Sequence, residues 1–258
     1  MKKLYFFVVL FFMSLVIAAC GSGSESTDTS ESSNDNSSSE EKKETIKLKF
    51  ATYFPGTSPI YTDFVEPWMN RVTELTDGQV EFDYYPAEQL GKSGDLLFLT
   101  RDGVADLTVV PVNYYQDNQP ISAVLASLPG LSETVGQGTK AYNELLKQNE
   151  TILETDYLKN GVRPIVAFVS PPYELWTRGL EIRVPEDLKG KKIKTPGGIT
   201  NELYSYLGAV PVTISHAETY EALEKGVIEI VSSYNMAIKN GGYDELLEYG
   251  VMPHIGSV

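Results

Sequence analysis

The chain has 258 residues, 35 acidic against 21 basic side chains and a formal charge of −14, with one cysteine and two histidines. That balance lacks the basic stripe a general nucleic-acid binder needs, yet leaves room for an anion held by one local cation. Two distant histidines, no cysteine pair and no H-E-x-x-H run leave no expected zinc site, and no other cofactor is expected.

Lys2 and Lys3 precede an apolar run from Leu4 to Ile17, and Ala18-Ala19 then lead into Cys20. A positive start, a short apolar stretch and small residues before a cut read as a secretory signal over residues 1–19. An uncleaved anchor and a secreted protein with a spare thiol are the competing readings. The run is shorter than the roughly 20 residues a membrane span takes, and a lone thiol at the cut has no other evident use. The pattern resembles a bacterial lipoprotein signal, which implies that Cys20 becomes a lipidated N-terminus tethering an extracytoplasmic protein to the membrane. Residues 20–44 continue as small, polar and acidic residues. They lack the apolar surface that would repay their ordering entropy, so a disordered acidic linker is expected.

Thr45 to Ala51 alternates and predicts a first strand. Phe64, Val65, Trp68, Val72 and Leu75 recur at helical spacing over 60–76, and Asp77-Gly78 ends that helix. A second strand is expected over 79–85, a short helix over 93–102 and a third strand over 105–111, an order that favours a parallel sheet. Residues 121–128 and 133–157 read as helices, and Val162 to Ser170 as a buried strand crossing into a second region. There, a proline-led turn at 185–190, strands at 192–195, 210–212 and 228–231, and helices at 200–207 and 216–225 repeat the α/β logic. The expectation is an α/β fold of two lobes, 45–168 and 169–258. A ligand would sit in the cleft between lobes, at strand C-termini and helix N-termini. The last residues read as the entry to another strand, so the second lobe is expected to be incomplete and the chain truncated.

Several phrases occur in a telling order: FDYYPAEQLG at 82–91, GVADL at 103–107, Leu128-Pro129-Gly130, VPEDLKGKKIKTPGG at 184–198 and LGAVPV at 207–212. The helix Glu218 to Gly226 and the strand Val227 to Ile230 follow. Together they resemble the DctP-type extracytoplasmic solute-binding proteins of tripartite ATP-independent periplasmic (TRAP) transporters, over essentially all of 45–258. The resemblance implies a periplasmic-binding-protein-like fold and no enzymatic activity. It also implies a small, carboxylate-bearing organic solute as ligand and integral-membrane permease subunits as partners. Members of that family are longer, which adds to the expectation of truncation.

In that family an arginine in a K-I-R-x-P-type phrase clamps the substrate carboxylate, and the matching residue here is Lys194, in KKIKTP. Lysine offers a mobile point charge where arginine makes two parallel bonds. Either the anion is held less geometrically or the position has given up its role, and Arg178 and Arg183 are candidates for the missing guanidinium. The resemblance and local chemistry add Tyr53, beside Phe54, after the first strand, and Glu88, beside Gln89. They further add Tyr173 and Trp176, flanking Glu174, and Ser233 and Asn235, flanking Tyr234. Core packing or a solvated surface stands against each. Ile230 occupies a place where the family carries glycine, which predicts a remodelled pocket. A ligand-binding sensor lipoprotein partnering a membrane receptor is the alternative function. An extracellular enzyme has less support, for there is no G-x-S-x-G elbow, phosphate loop or dinucleotide fingerprint.

Overall fold

The computed structural model describes residues 44–128 and 130–255. The signal, Cys20, nearly all of the acidic linker and Pro129 lie outside the described residues. The fold is mixed α/β with two sheets.

Strand β1 (Ile46–Ala51) lies between β2 (Val80–Tyr85) and β3 (Leu107–Thr108), parallel to both. Its C-terminal end is buried on both faces, Phe50 in one core cluster and Ala51 in another, while Lys47 pairs with Asp83 at 3.4 Å on the outer surface. Helix α1 (Glu66–Leu75) continues directly from a π-helical turn at Tyr61–Val65, and Pro67 falls where the wide turn gives way to the α-helix. It ends at Asp77 and Gly78, both left-handed. Its Met69 packs with Val65, Phe50 and Phe54 into one core, each such burial contributing about 1.5–3 kcal/mol. Helix α2 (Leu96–Arg101) buries Leu96 and Leu97.

Three helices follow: α3 (Pro120–Ser127), α4 (Val135–Gln148) and the short α5 (Glu150–Ile152). Thr134 caps α4 by accepting from Gln137 N at 3.2 Å, and Asn149 caps α5 by accepting from Thr151 N at 3.0 Å. Helix α3 has no cap of its own. The fully buried Asp156 supplies one from a distance, accepting from Ser122 N and Ser122 Oγ at 2.6 Å each and from Ile121 N at 3.4 Å.

The buried strand expected at Val162 to Ser170 does not form. Those residues have no ladder partner among the described residues and bend at Ile165, which is 65% exposed. Side chains of α4 take the place of a neighbouring strand. Asn143 Nδ2 donates to Ala167 O at 2.6 Å and its Oδ1 accepts from Ala167 N at 3.0 Å, while Thr139 Oγ1 accepts from Val169 N at 3.1 Å.

The second sheet contains β4 (Tyr173–Thr177), β5 (Lys192–Thr195), β6 (Val210–Thr213), β7 (Ile230–Ser233) and β8 (Tyr249–Ile255), in the order β6-β5-β7-β4-β8. Strands β6, β5 and β7 are parallel, and β4 runs antiparallel to β7 and β8. Helices α6 (Gly198–Tyr206), α7 (Thr219–Glu224) and α8 (Asn235–Asn240) connect and flank them. One face buries Leu175, Ile193, Tyr204 and Ile230; the other buries Leu223, Ile228, Val231 and Tyr243. Ile230 is fully buried in the first of these cores, so its side chain fills the interior and does not reshape a pocket.

Candidate functional site

Parallel strands end together on one side of each sheet, and the loops that follow them converge on Lys194. In KKIKTP the pleat of β5 sends Ile193 into the core and Lys194 to the opposite face, where it is only 6% exposed. Its Nζ donates to the Tyr114 hydroxyl at 3.3 Å and stands 5.8 Å from the centre of that ring. Among the described residues no carboxylate forms an ion pair with it. Burial lowers its pKa to about 8, against a smaller opposing pull from the Glu88 charge.

Tyr114 follows β3 and donates its own proton to Ile214 O, beyond β6, at 3.2 Å. Glu88 follows β2 in a left-handed conformation (φ 61°), and its Oε1 accepts from Ser93 N at 2.8 Å and from Ser93 Oγ. Tyr53, after β1, lies close enough to Tyr234, after β7, for each phenol to affect the other's ionisation. The Tyr234 ring lies 5.8 Å from that of Tyr173, and the Asn113 side chain, whose buried Oδ1 has no partner among the described residues, is near the Tyr173 phenol. Burial pushes the phenols of Tyr53, Tyr114, Tyr173 and Tyr234 upward, so all four are neutral donors at physiological pH. His216, after β6, packs its ring 6.2 Å from Tyr53 and 5.4 Å from Tyr243. Burial, then the nearby Lys194 charge, push its pKa down to about 4.

The structure thus gathers Lys194, Tyr53, Glu88 and Tyr173 into one cluster. Trp176 lies elsewhere: its indole donates to Ser233 O at 3.0 Å and its ring covers Gly250. Ser233 is buried within β7, and Asn235 is exposed as the first residue of α8. Glu174 turns to His254 at 2.7 Å. Neither arginine replaces the guanidinium, for Arg178 donates to Glu224 O at 2.9 Å at the end of α7 and Arg183 pairs with Glu181 at 2.9 Å. Tyr114, Asn113, His216 and Tyr243 were not singled out in the sequence. For His216 the available signal was position, in the loop just after a parallel strand, where such sheets carry their sites; Tyr114 lies six residues beyond β3.

Three contacts between the halves frame the cluster. Lys92 pairs with Glu218 at 2.5 Å, Asn240 Nδ2 donates to Ser58 Oγ at 2.8 Å, and Gln116 Oε1 accepts from Ile199 N at 3.1 Å in the first turn of α6. The last needs a glycine: at Gly198 (φ 51°) a Cβ would fall 0.8 Å from Gln116 Nε2. At Gly78, also left-handed, a Cβ would meet nothing within 4 Å. Urea unfolding of Gly198→Ala should therefore show about 1–3 kcal/mol more destabilisation than Gly78→Ala, which carries only the backbone strain. Equal losses would mean that Gln116 swings away at no cost.

A cavity of about 880 Å³ adjoins the cluster, walled by Phe50, Phe64, Leu97, Val109 and the 162–171 segment, and shares Tyr53, Asn113, Tyr173 and Tyr234 with it. Its walls are mainly apolar, and the buried cation belongs to the cluster. Among the described residues no three His, Cys, Asp or Glu side chains are placed to hold a metal ion.

Residues 50–258 match the family described as bacterial extracellular solute-binding protein, family 7 (DctP). A solute-binding protein of Roseobacter denitrificans is 29% identical over 181 residues, covering 69% of this chain and 54% of its own length. The chain spans about half the length of the curated relatives it matches. A TRAP solute-binding protein from Rhodoferax ferrireducens, in complex with copurified benzoate, has a similar structure. Its TM-score is 0.72 at 26% identity, over 80% of this chain and 62% of that one. A marine metagenome TRAP solute-binding protein specific for aromatic acid ligands, crystallised with 3-hydroxybenzoate, gives a TM-score of 0.72 at 26% identity. The match covers 83% of this chain and 66% of that one.

Proposed function

The chain belongs to bacterial extracellular solute-binding protein family 7, the DctP family, and from that premise we propose that it is an extracytoplasmic receptor for a small organic acid, which it delivers to integral-membrane permease subunits of a TRAP transporter. Lys194 carries this reading. An ammonium drawn out of water with one hydroxyl partner, no ion-paired carboxylate among the described residues and only a partial pull from Glu88 has two N–H donors and most of its charge left uncompensated, which is costly in the folded state. A ligand carboxylate supplies both the acceptors and the countercharge. The neutral tyrosines around it offer hydroxyl donors and flat apolar walls, suited to the body of such an acid. The aromatic acids carried by the two solved neighbours are of matching chemistry.

In the same reading Tyr53, Glu88 and Tyr173 line the ligand, with Tyr114 and His216. Trp176 and Ser233, joined by a hydrogen bond between β4 and β7, and Asn235, exposed on α8, are not assigned to the ligand. Lobes 45–168 and 169–258 close over the acid and exclude water, which strengthens a single ammonium–carboxylate bond. Cys20, freed by removal of residues 1–19, carries the lipid that holds the protein at the outer face of the cell membrane, with residues 20–44 as the spacer.

Thermal unfolding of the mature chain with benzoate, 3-hydroxybenzoate, mandelate and galactonate, each beside its methyl ester, tests this reading. A saturable rise in Tm with at least one acid and none with its ester is expected. Stabilisation by neutral sugars alone would overturn the organic-acid assignment.

A further inference from the structure

His216 has a hydrogen-bonding arrangement that determines which ring nitrogen carries the proton. The Tyr243 hydroxyl lies against two atoms of this one residue, the backbone carbonyl oxygen and, at 3.2 Å, the ring Nδ1. A carbonyl only accepts and a hydroxyl has one proton, so Tyr243 donates to His216 O. At Nδ1 the phenol oxygen can then only accept, and Nδ1 bears the hydrogen. The other nitrogen, Nε2, is left as a bare lone pair with no hydrogen-bond partner among the described residues. The ring is neutral, since burial and the Lys194 charge hold its pKa near 4.

We infer that His216, locked in its Nδ1–H tautomer by Tyr243, is a specificity-determining residue that presents an acceptor to the ligand and selects an organic acid bearing a neutral hydroxyl donor beside the carboxylate held by Lys194. The inference rests on the receptor reading above and adds to it the class of acid. The other groups facing the cluster are of two kinds. Lys194 donates only, whereas the neutral phenols of Tyr53, Tyr114, Tyr173 and Tyr234 both donate and accept. Asn113 Oδ1, buried without a partner among the described residues, and Glu88, whose Oε1 takes Ser93 N and Ser93 Oγ, are further acceptors, and His216 Nε2 adds a neutral one held in that state by Tyr243. An ammonium group on the ligand would meet the repulsion of the same Lys194 charge that depresses His216. A hydroxyl meets none, and an acid lacking one leaves Nε2 unpaired in a site closed to water.

The chain holds only two histidines, so His254→Asn leaves His216 as the single imidazole for long-range proton–nitrogen correlation NMR. The expected spectrum shows a protonated Nδ1 and a bare Nε2 at neutral pH, whether or not a ligand is present. Calorimetry then compares two matched pairs, 3-hydroxybenzoate with 3-fluorobenzoate and mandelate with phenylacetate. In at least one pair the hydroxy acid should bind about tenfold or more tightly, and its binding should shift the Nε2 resonance. His216→Phe should reduce that preference to about twofold or less. Tyr243→Phe, which frees the tautomer, should lower it without removing the ring. A protonated Nε2 in the parent protein overturns the inference whatever binds, and so does a hydroxyl preference that survives His216→Phe. If no organic acid binds at all while the tautomer is as assigned, the receptor reading itself falls, and the selection role falls with it.

Discussion

Replacing Lys194 with methionine should abolish organic-acid binding while leaving the unliganded protein as stable as before, or more so. Removing one member of a desolvated charge pair costs about 2–5 kcal/mol of binding, or roughly 30- to 5,000-fold in Kd. In the ligand-free protein the same substitution removes a buried charge that no ion pair compensates among the described residues and that Glu88 offsets only in part. Exchange of such groups for apolar ones is often neutral or stabilising by about 1–4 kcal/mol. Calorimetry and urea unfolding of the one variant read both effects. A structural lysine would lose stability with no selective loss of binding, and that pattern would remove Lys194 from the site.

The same residue sets a pH dependence. With Lys194 titrating near pH 8 in the free protein, affinity for a carboxylate should be level below that value. It should fall about tenfold per unit as pH rises through it, because only the ammonium pairs with the anion. The effect on folding has the opposite sense. Between about pH 8 and the ordinary lysine value of 10.5 the unfolded chain binds the extra proton, so Lys194 contributes a gain in stability as pH rises there. His216 stays neutral throughout this window. An affinity that holds level to pH 10 would contradict the assignment.

Asp156→Ala should be the most destabilising single change in the first half of the fold. The carboxylate is fully buried and is the only side-chain cap of α3 among the described residues; without it the N–H groups of Ser122 and Ile121 lose their acceptor in the interior. The Ser122 hydroxyl also donates to Asp156 and accepts from Tyr142, which in turn lies 3.0 Å from the Tyr157 hydroxyl, so the loss spreads through a chain of buried partners. Each unsatisfied buried group costs about 1–3 kcal/mol, giving roughly 3–5 kcal/mol in urea unfolding. Asp83→Ala, which removes only the exposed Lys47 pair, should cost about 1 kcal/mol or less. Similar midpoints for the two variants would show that α3 is capped in another way.

Local periodicity made much of the secondary structure legible. The alternation in IKLKFA and VEFDYY and the helical spacing of Val65, Trp68 and Val72 express side-chain geometry that needs no distant partner. The run at 162–170 shows the limit. Its apolar composition is that of a buried strand, but a strand also needs a neighbouring edge, and here the α4 side chains Asn143 and Thr139 occupy that role. Strand β4 and helix α8 were missed for a related reason: YELWT and NMAIKN are too short for their period to stand out.

For the site, the ordered phrases around KKIKTPGG pointed to the family and to Lys194 as a candidate, and resemblance with local chemistry suggested Tyr53, Glu88 and Tyr173. What the tertiary structure decided was which of the candidates meet. Trp176, Ser233 and Asn235 sit close to the right strand in sequence, yet strand pleat and helix rotation turn them to the interior, the ladder or the solvent. Tyr114, far away in the chain, reaches Lys194, and Tyr243 sets the proton on His216. Residue type and local pattern are properties of the sequence alone. A buried charge without its counterion, and a histidine tautomer, exist only where segments some 30 to 80 residues apart are brought within a few ångströms by packing.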